Sequence, residues 1–147
     1  MKLKNTTHWD DKFLRRMISW CCKQIGYSPR NIWIAEFGKK KRGSFTGTAW
    51  WRCKRIRIVI GPATSFPVEP YLYPGRKSKA FMSPKFNDQL DALVGITAHE
   101  IVHLLRKNGG ERYTRHWERK CVQLFNENRS KLLAEWEFGL TDPIRTA

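Results

Sequence analysis

The feature that most constrains this chain is a His-Glu-x-x-His motif inside an apolar segment, Ala98-His99-Glu100-Ile101-Val102-His103-Leu104-Leu105. Apolar residues recur at helical spacing from residue 88 to 107, which predicts one helix there. Residues four apart share a helix face, so His99 and His103 can direct their imidazole nitrogens at one ion. The next residue, Glu100, can reach the water side of that ion. The motif therefore predicts a catalytic zinc site with ligands His99 and His103 and with Glu100 as general base.

A catalytic zinc site takes three protein ligands and keeps one position for water, so one further ligand is needed. Among the four histidines of the chain, His116 is the best placed. A short reversal after the motif helix would bring it back across the face that carries the first two ligands. Glu111 and Glu118 are the alternatives, because a carboxylate can also serve as the third ligand. A competing interpretation is a chance pair of histidines that are only hydrogen-bonded.

Composition bounds the class of protein. The 147 residues suit one domain, and 28 Lys and Arg against 13 Asp and Glu give a formal charge of +15. That excess favours a polyanionic partner, with nucleic acid (DNA) first and an anionic membrane second, although a solvated charged surface is the alternative. There is no apolar run of about 18 residues and no signal peptide, so we expect no membrane span. The four cysteines form no C-x-x-C pair, which predicts reduced, mostly buried thiols.

The remaining pattern predicts an α+β domain with an N-terminal helix, a small three-stranded sheet, the motif helix and C-terminal helices. A capping box at residues 7–10 starts the first helix, and Gly26 ends it. Thr114 is expected to cap the helix after the motif. The predicted strands cover 31–37, 44–51 and 55–60, the last helix covers 130–140, and 141–147 is a tail.

Two further stretches of the sequence have features typical of ligand-binding segments. Residues 61–87 carry five prolines without a periodic apolar pattern, as in a lid or binding loop, and this loop leads into the motif helix. Basic residues lie beside Trp50 and Trp51, a mixture that can track phosphates and stack bases, although core packing would explain the tryptophans equally well. The candidate nucleic-acid contacts are Lys39, Lys40, Lys41, Arg42, Arg52, Lys54, Arg55 and Arg57.

Together these segments resemble the SprT-like zinc metallopeptidases of the minigluzincin group, over roughly residues 8–125. The resemblance is carried by the motif, by Thr46-Gly47-Thr48-Ala49-Trp50, by Arg55-Ile56-Arg57-Ile58 and by the downstream His116-Trp117. It implies an α+β core, Zn²⁺ held by His99, His103 and His116, and Glu100 as catalytic base. The family includes Spartan-type proteases, which degrade proteins crosslinked to DNA.

The chain departs from that family in two ways. Family members usually carry the third histidine in a His-Gly-x-x-Trp-like segment, whereas here Trp117 follows His116 directly. There is also no C-terminal C-x-x-C zinc ribbon, so DNA binding would have to come from the basic surface. The small chain would suit a phage or mobile-element protein.

From these features we expect residues 1–147 to form a single, monomeric, intracellular domain, either cytoplasmic or associated with the nucleoid or nucleus. We expect a zinc-dependent endopeptidase that acts on or near nucleic acid, with DNA-bound or DNA-crosslinked proteins as candidate substrates. The alternatives are a zinc-dependent nuclease and a non-catalytic nucleic-acid-binding module with structural zinc. A second donor to the oxyanion remains open among Tyr71, Tyr73, Tyr113 and Arg115.

Overall fold

The computed structural model describes residues 1–106 and 110–139. Within them it contains four α-helices and one four-stranded mixed sheet, which confirms the α+β class. The predicted end of the motif helix at Lys107 and the predicted tail at 141–147 lie outside the described residues. The elements are β1 (Lys2–Asn5), α1 (Asp11–Ile25), β2 (Ile34–Lys39), β3 (Phe45–Trp50), β4 (Arg55–Ile60), α2 (Gln89–Leu105), α3 (Glu111–Glu127) and α4 (Arg129–Phe138).

The sheet has the strand order β1-β2-β4-β3, one strand more than predicted. The three predicted strands are present, and β3 is an edge strand that runs antiparallel to β4. The additional strand β1 pairs in parallel with β2, with Lys2 opposite Ile34. Its sequence, Lys-Leu-Lys-Asn, contains one apolar residue, so it offered no periodic apolar pattern. Only its pairing with a strand some thirty residues away defines it.

The two faces of the sheet differ in composition. The inner face carries the core, with Ala35, Phe37, Ile56, Ile58 and Ile60 all buried. Because side chains alternate along a strand, the residues between them point to the other face. That outer face is polar and includes Lys4, Glu36, Arg57 and Thr48 in one cross-strand row.

Helix α1 lies against the core through the predicted apolar stripe. Its buried residues are Phe13, Leu14, Met17, Ile18, Cys21, Cys22 and Ile25. The helix starts three residues later than the predicted capping box implies, because Asp10 rather than Thr7 is the N-cap and its carboxylate accepts a hydrogen bond from the Lys12 backbone N–H. It ends where Gly26 adopts φ 84°, a left-handed conformation that glycine reaches without steric cost.

Helix α2 is the central element, packed against α1, α3, β3 and β4. Asp88 caps its first turn, and the buried Asp91 accepts hydrogen bonds from Asn87. The mid-helix Gly95 is explained by packing, because a Cβ there would lie 2.7 Å from the ring of Phe86 and 2.9 Å from Val122. Close packing therefore accounts for this glycine.

Helix α3 begins at Glu111, after Gly110, and not at the predicted cap Thr114. Thr114 lies within the first turn of α3 and its side chain is buried. Its hydroxyl donates to the Glu111 carbonyl oxygen. The predicted start was wrong because a threonine one turn into a helix can hydrogen-bond the preceding turn instead of capping it. The earlier start adds Glu111 to the helix.

The proline-rich loop, residues 61–87, doubles back on itself through isolated bridges between Val68 and Phe86 and between Leu72 and Met82. Two short 3₁₀ turns, Ala63–Ser65 and Lys79–Phe81, are its only helical pieces in the described chain. None of the helices described is long and apolar enough to cross a membrane.

Candidate metal centre

Helix α2 brings the motif side chains together as its sequence predicts. The Nε2 atoms of His99 and His103 lie 3.2 Å apart. A ligand atom from each of His99, Glu100 and His103 lies within 4.8 Å of the other two. The two imidazoles are half-buried, whereas Glu100 is only 5% exposed. Two imidazole nitrogens and a buried carboxylate thus face the same small volume.

A second carboxylate comes from the first turn of α3. The Oε2 atom of Glu111 lies 3.6 Å from His99 Nε2, and its Oε1 atom lies 3.5 Å from His103 Nε2. Glu111 therefore approaches both imidazole nitrogens of the motif from the opposite helix.

The spacing of these atoms fits a zinc ion. With zinc–nitrogen and zinc–oxygen bonds of about 2.0–2.1 Å and tetrahedral angles, two ligand atoms lie roughly 3.3–3.4 Å apart. The separations of 3.2, 3.5 and 3.6 Å are close to that value. Two histidines and one carboxylate are also a donor set that catalytic zinc takes. The residues present therefore suit zinc, with His99, His103 and Glu111 as the holding groups.

A buried carboxylate fixes the orientation of the first histidine. Glu118 has no exposed surface, and its Oε1 lies 2.8 Å from His99 Nδ1. The Arg115 guanidinium donates to the other oxygen of Glu118 at 2.8 Å, which holds the carboxylate in place. An acceptor at Nδ1 puts the ring proton there, which leaves Nε2 free to bind a cation.

Electrostatics in the cluster follow from burial and from its three acids. Burial raises the pKa of Glu100 to about 7, with Glu111 and Glu118 adding to the rise and His99 opposing it. Burial lowers the pKa of His99, but the hydrogen bond to Glu118 and the nearby carboxylates outweigh it and the net shift is upward. Burial and the charge of His99 lower the pKa of His103.

The cluster lines a cleft of about 510 Å³ between α2, α3, the edge strand β3 and the proline-rich loop. Strand β3 passes directly over the catalytic candidate: a Cβ at Gly47 would lie 3.1 Å from Cδ of Glu100 and 2.6 Å from Cγ2 of Ile96. The other wall of the cleft includes Tyr71 and Tyr73 of the loop, so this loop borders the cleft.

The structure does not bring His116 to the other two histidines. Its side chain is exposed and lines a separate cavity with Arg106, Tyr113 and Arg119. On a helix with 3.6 residues per turn, Glu111, Arg115 and Glu118 share one face, while His116 lies about 140° around from Glu111. The face that carries Glu111 points to α2. Glu111, one of the two carboxylates named as alternatives, therefore occupies the place expected for the third ligand.

The four candidate oxyanion donors do not all lie in the same cavity. Tyr71, Tyr73 and Arg115 line the cleft, whereas Tyr113 lies in the other cavity beside Arg106. The Arg115 guanidinium is engaged by Glu118 and lies 4.8 Å from the ring centre of Tyr71.

The basic candidates fall into two groups at opposite ends of the sheet. The first, Lys39, Lys40, Lys41 and Arg42, lies at the end of β2 and in the turn to β3. The second group, Arg52, Lys54, Arg55 and Arg57, lies where β3 ends and β4 begins. At about 3.3 Å per residue, a six-residue strand separates them by roughly 17–20 Å.

One feature that sequence reasoning left unused is the polar spacing in α3. Glu111, Arg115 and Glu118 recur at intervals of four and three residues, and Arg115 and Glu118 are buried. Charged residues on the buried face of an amphipathic helix are a signal for a functional site.

No family model, no curated protein and no solved structure matches this chain significantly.

Proposed function

We propose that this chain is a zinc-dependent endopeptidase of the SprT-like, minigluzincin type that acts on or near nucleic acid. One observation carries the proposal: His99, His103 and Glu111 place ligand atoms at zinc-compatible separations, with Glu100 beside them in the same cleft. A glutamate directly after the first histidine is the arrangement of zinc proteases with a general base.

Each residue of the cluster has a separate role in this proposal. His99, His103 and Glu111 hold the zinc ion, which supplies Lewis acidity at the reacting centre when bound. Glu118 orients His99 through Nδ1 and is in turn held by Arg115.

Glu100 carries the proton in hydrolysis. Its carboxylate takes a proton from the attacking water as the water oxygen bonds to the scissile carbonyl carbon. The same carboxyl then gives that proton to the departing amine nitrogen as the C–N bond breaks. Tyr71 and Tyr73, which line the loop side of the cleft, are the candidate hydroxyl donors to the carbonyl oxygen.

The edge strand β3 is a reason to propose a polypeptide as the substrate. β3 pairs with β4 on one side, and its Thr46, Gly47 and Thr48 line the cleft. An extended peptide can add to such an edge through main-chain hydrogen bonds, which brings successive peptide groups past Glu100. Gly47 allows β3 to pass this close to the Glu100 carboxylate because it has no side chain there.

The link to nucleic acid rests on charge. A formal charge of +15 on 147 residues creates a field that attracts polyanions, and basic groups lie at both ends of the sheet. Proteins bound or crosslinked to DNA are the substrates that combine such a partner with peptide hydrolysis.

The decisive experiment compares zinc-loaded wild type with Glu100→Gln. We expect wild type to cleave a DNA-binding protein such as a histone, with stimulation by DNA. Glu100→Gln should retain zinc and lose at least about 10²-fold in rate, since removal of a general base costs that much or more. Glu127→Gln, an exposed residue on α3, provides the matched control and should behave as wild type.

Metal content by elemental analysis accompanies each assay. A Glu100→Gln protein with undiminished cleavage would contradict the role of Glu100. Loss of intact RNA or DNA in place of peptide cleavage would favour the nuclease alternative, and nucleic-acid binding without either reaction would favour the binding module.

A further inference from the structure

We infer that the outer face of the sheet is a binding surface for single-stranded nucleic acid, with Trp33 and Trp50 stacking on bases at the end of the sheet where β4 begins. This inference deepens the proposed association with nucleic acid and rests on that part of the proposed function. It concerns a surface distinct from the metal centre, because the centre faces the inner side of the sheet.

The outer face is uncovered by the elements described in residues 1–106 and 110–139. The register places Lys2, Ile34, Arg55 and Trp50 in one cross-strand row. The helix α2 packs on the opposite face, where Ile96 and Glu100 approach Gly47. The outward residues of β3, including Trp50, are exposed accordingly.

On the outer face, the basic side chains outnumber the carboxylates. The one outward carboxylate in the described strands, Glu36, is shared by three cations: Lys4 at 3.9 Å, Arg55 at 2.5 Å and Arg57 at 3.8 Å. The exposed fractions of the Lys4 and Arg57 side chains are 54% and 55%, so their charges remain accessible to a phosphate backbone. Shared pairing holds these cations in a row and leaves a net positive face.

Large aromatic rings lie at the end of the sheet where β4 begins, with Trp50 on the outer face and Trp33 just before β2. Trp33 is 58% exposed and its backbone N–H donates to the Lys54 carbonyl oxygen, which places it beside the start of β4. Trp50 is exposed as well, with the Arg55 guanidinium 4.4 Å from its ring centre. Burying apolar rings is favourable, so the exposure of two indoles among cations indicates a ligand with flat apolar faces and negative charge.

Single-stranded nucleic acid has both properties. Unpaired bases expose their π-faces to aromatic side chains while the phosphates follow a basic surface, and four-stranded sheets are used for this purpose. A duplex keeps its bases stacked on one another, and an acidic polypeptide has no regular series of flat rings. The occupant that fits the outer face is therefore an unpaired strand.

The outer face also lies next to the proposed active site. Trp51 follows Trp50 directly, and it lines the cleft that contains His99 and Glu100. A strand bound across the outer face would end beside the cleft, and a protein attached to that strand would be held near Glu100.

The test is direct binding of full-length protein to fluorescein-labelled oligothymidine and oligouridine of about 16 nucleotides, and to a duplex of equal length, by fluorescence anisotropy. The variants are Trp33→Ala and Arg57→Ala, with Lys131→Ala on α4 as the charge-matched control. Melting temperatures of all proteins are recorded first, and we expect them to agree because the changed side chains are largely exposed.

We expect tighter binding to a single strand than to the duplex, and the better of the two oligonucleotides identifies DNA or RNA as the ligand. Trp33→Ala should weaken binding at least about fivefold, as for loss of one stacked base. Arg57→Ala should lower the slope of log affinity against log salt by about 0.7 between roughly 50 and 200 mM, with Lys131→Ala unchanged.

Equal affinity of Trp33→Ala, Arg57→Ala and Lys131→Ala would overturn the inference, as would preference for the duplex or no binding. These measurements contain no peptide substrate and can be repeated with Glu100→Gln. Failure to bind a single strand would leave peptide hydrolysis standing, and a protein that binds as expected but cleaves nothing would refute only the peptidase.

Discussion

Glu111 illustrates how much of the candidate site depends on one residue. The zinc rule asks for a third ligand, and residue type alone favours a histidine at position 116. Position on the helix decides otherwise: Glu111 lies 3.5–3.6 Å from both Nε2 atoms, whereas His116 is exposed in another cavity. A carboxylate ligand would also reduce the charge of a bound Zn²⁺ ion, which two neutral imidazoles cannot do.

The two assignments make opposite predictions for metal content. Glu111→Gln should weaken zinc binding at least about tenfold, because an amide oxygen carries no charge for the cation. His116→Ala should bind zinc as wild type does. Competition with a chelator of known affinity, followed by elemental analysis, measures both. Zinc loss in His116→Ala with retention in Glu111→Gln would return the ligand role to the histidine.

At the scale of elements, the proposed catalysis would depend on how closely β3 crosses α2. The inner side of β3 meets Glu100 and Ile96 at Gly47, where a Cβ would be 2.6 Å from Ile96 Cγ2. Contacts that short do not occur between real carbon atoms, so an added methyl group must displace the strand or the Glu100 carboxylate. The glycine thus sets the distance between β3 and Glu100, which is the proton carrier in the proposed reaction.

Gly47→Ala should therefore reduce peptide cleavage about 10²-fold while zinc remains bound, since a displacement of about 1 Å at a reacting group has that effect. Gly38→Ala is the matched control in strand β2, on the far side of β4, where a Cβ would meet its nearest atom at an ordinary 3.6 Å. Steady-state rates and zinc content of the two variants give the comparison. Equal activity of both would show that the close crossing does not position Glu100.

Elements with a strong internal pattern could be predicted from the sequence. The apolar stripes of α1 and α2 and the alternation in β4 define their own burial, so these elements are found at the predicted places. Strand β1 could not be found, because a four-residue segment with one apolar side chain becomes a strand only through its partner β2. The start of α3 was misplaced because Thr114 satisfies its hydroxyl inside the helix.

The motif residues were predictable for the same reason, and the rest of the site was not. His99, Glu100 and His103 belong to one helix, so their geometry follows from helical periodicity. Glu111 and Glu118 join them only through the packing of α3 on α2, which is a tertiary relation. The uncovered sheet face likewise depends on which side α2 takes, and no local pattern specifies that.

At the scale of the whole molecule, three thiols report on the integrity of the core. Cys21 and Cys22 of α1 and Cys121 of α3 have no exposed surface, whereas Cys53 is exposed. Burial, with a contribution from the charge of Cys121, raises the pKa of Cys22 to about 12. A protonated, inaccessible thiol is a poor nucleophile, so the buried cysteines should be inert while the domain is folded.

We therefore expect a thiol reagent at pH 8 to modify one of the four cysteines rapidly in the native protein and all four in denaturant. Small single domains unfold cooperatively, so the three slow reactions should share one rate that rises with urea as global unfolding does. Cys53→Ser should remove the rapid phase and leave the slow ones unchanged. Two or three rapid thiols in the native protein, counted by mass spectrometry, would mean that α1 and α3 separate without unfolding of the sheet.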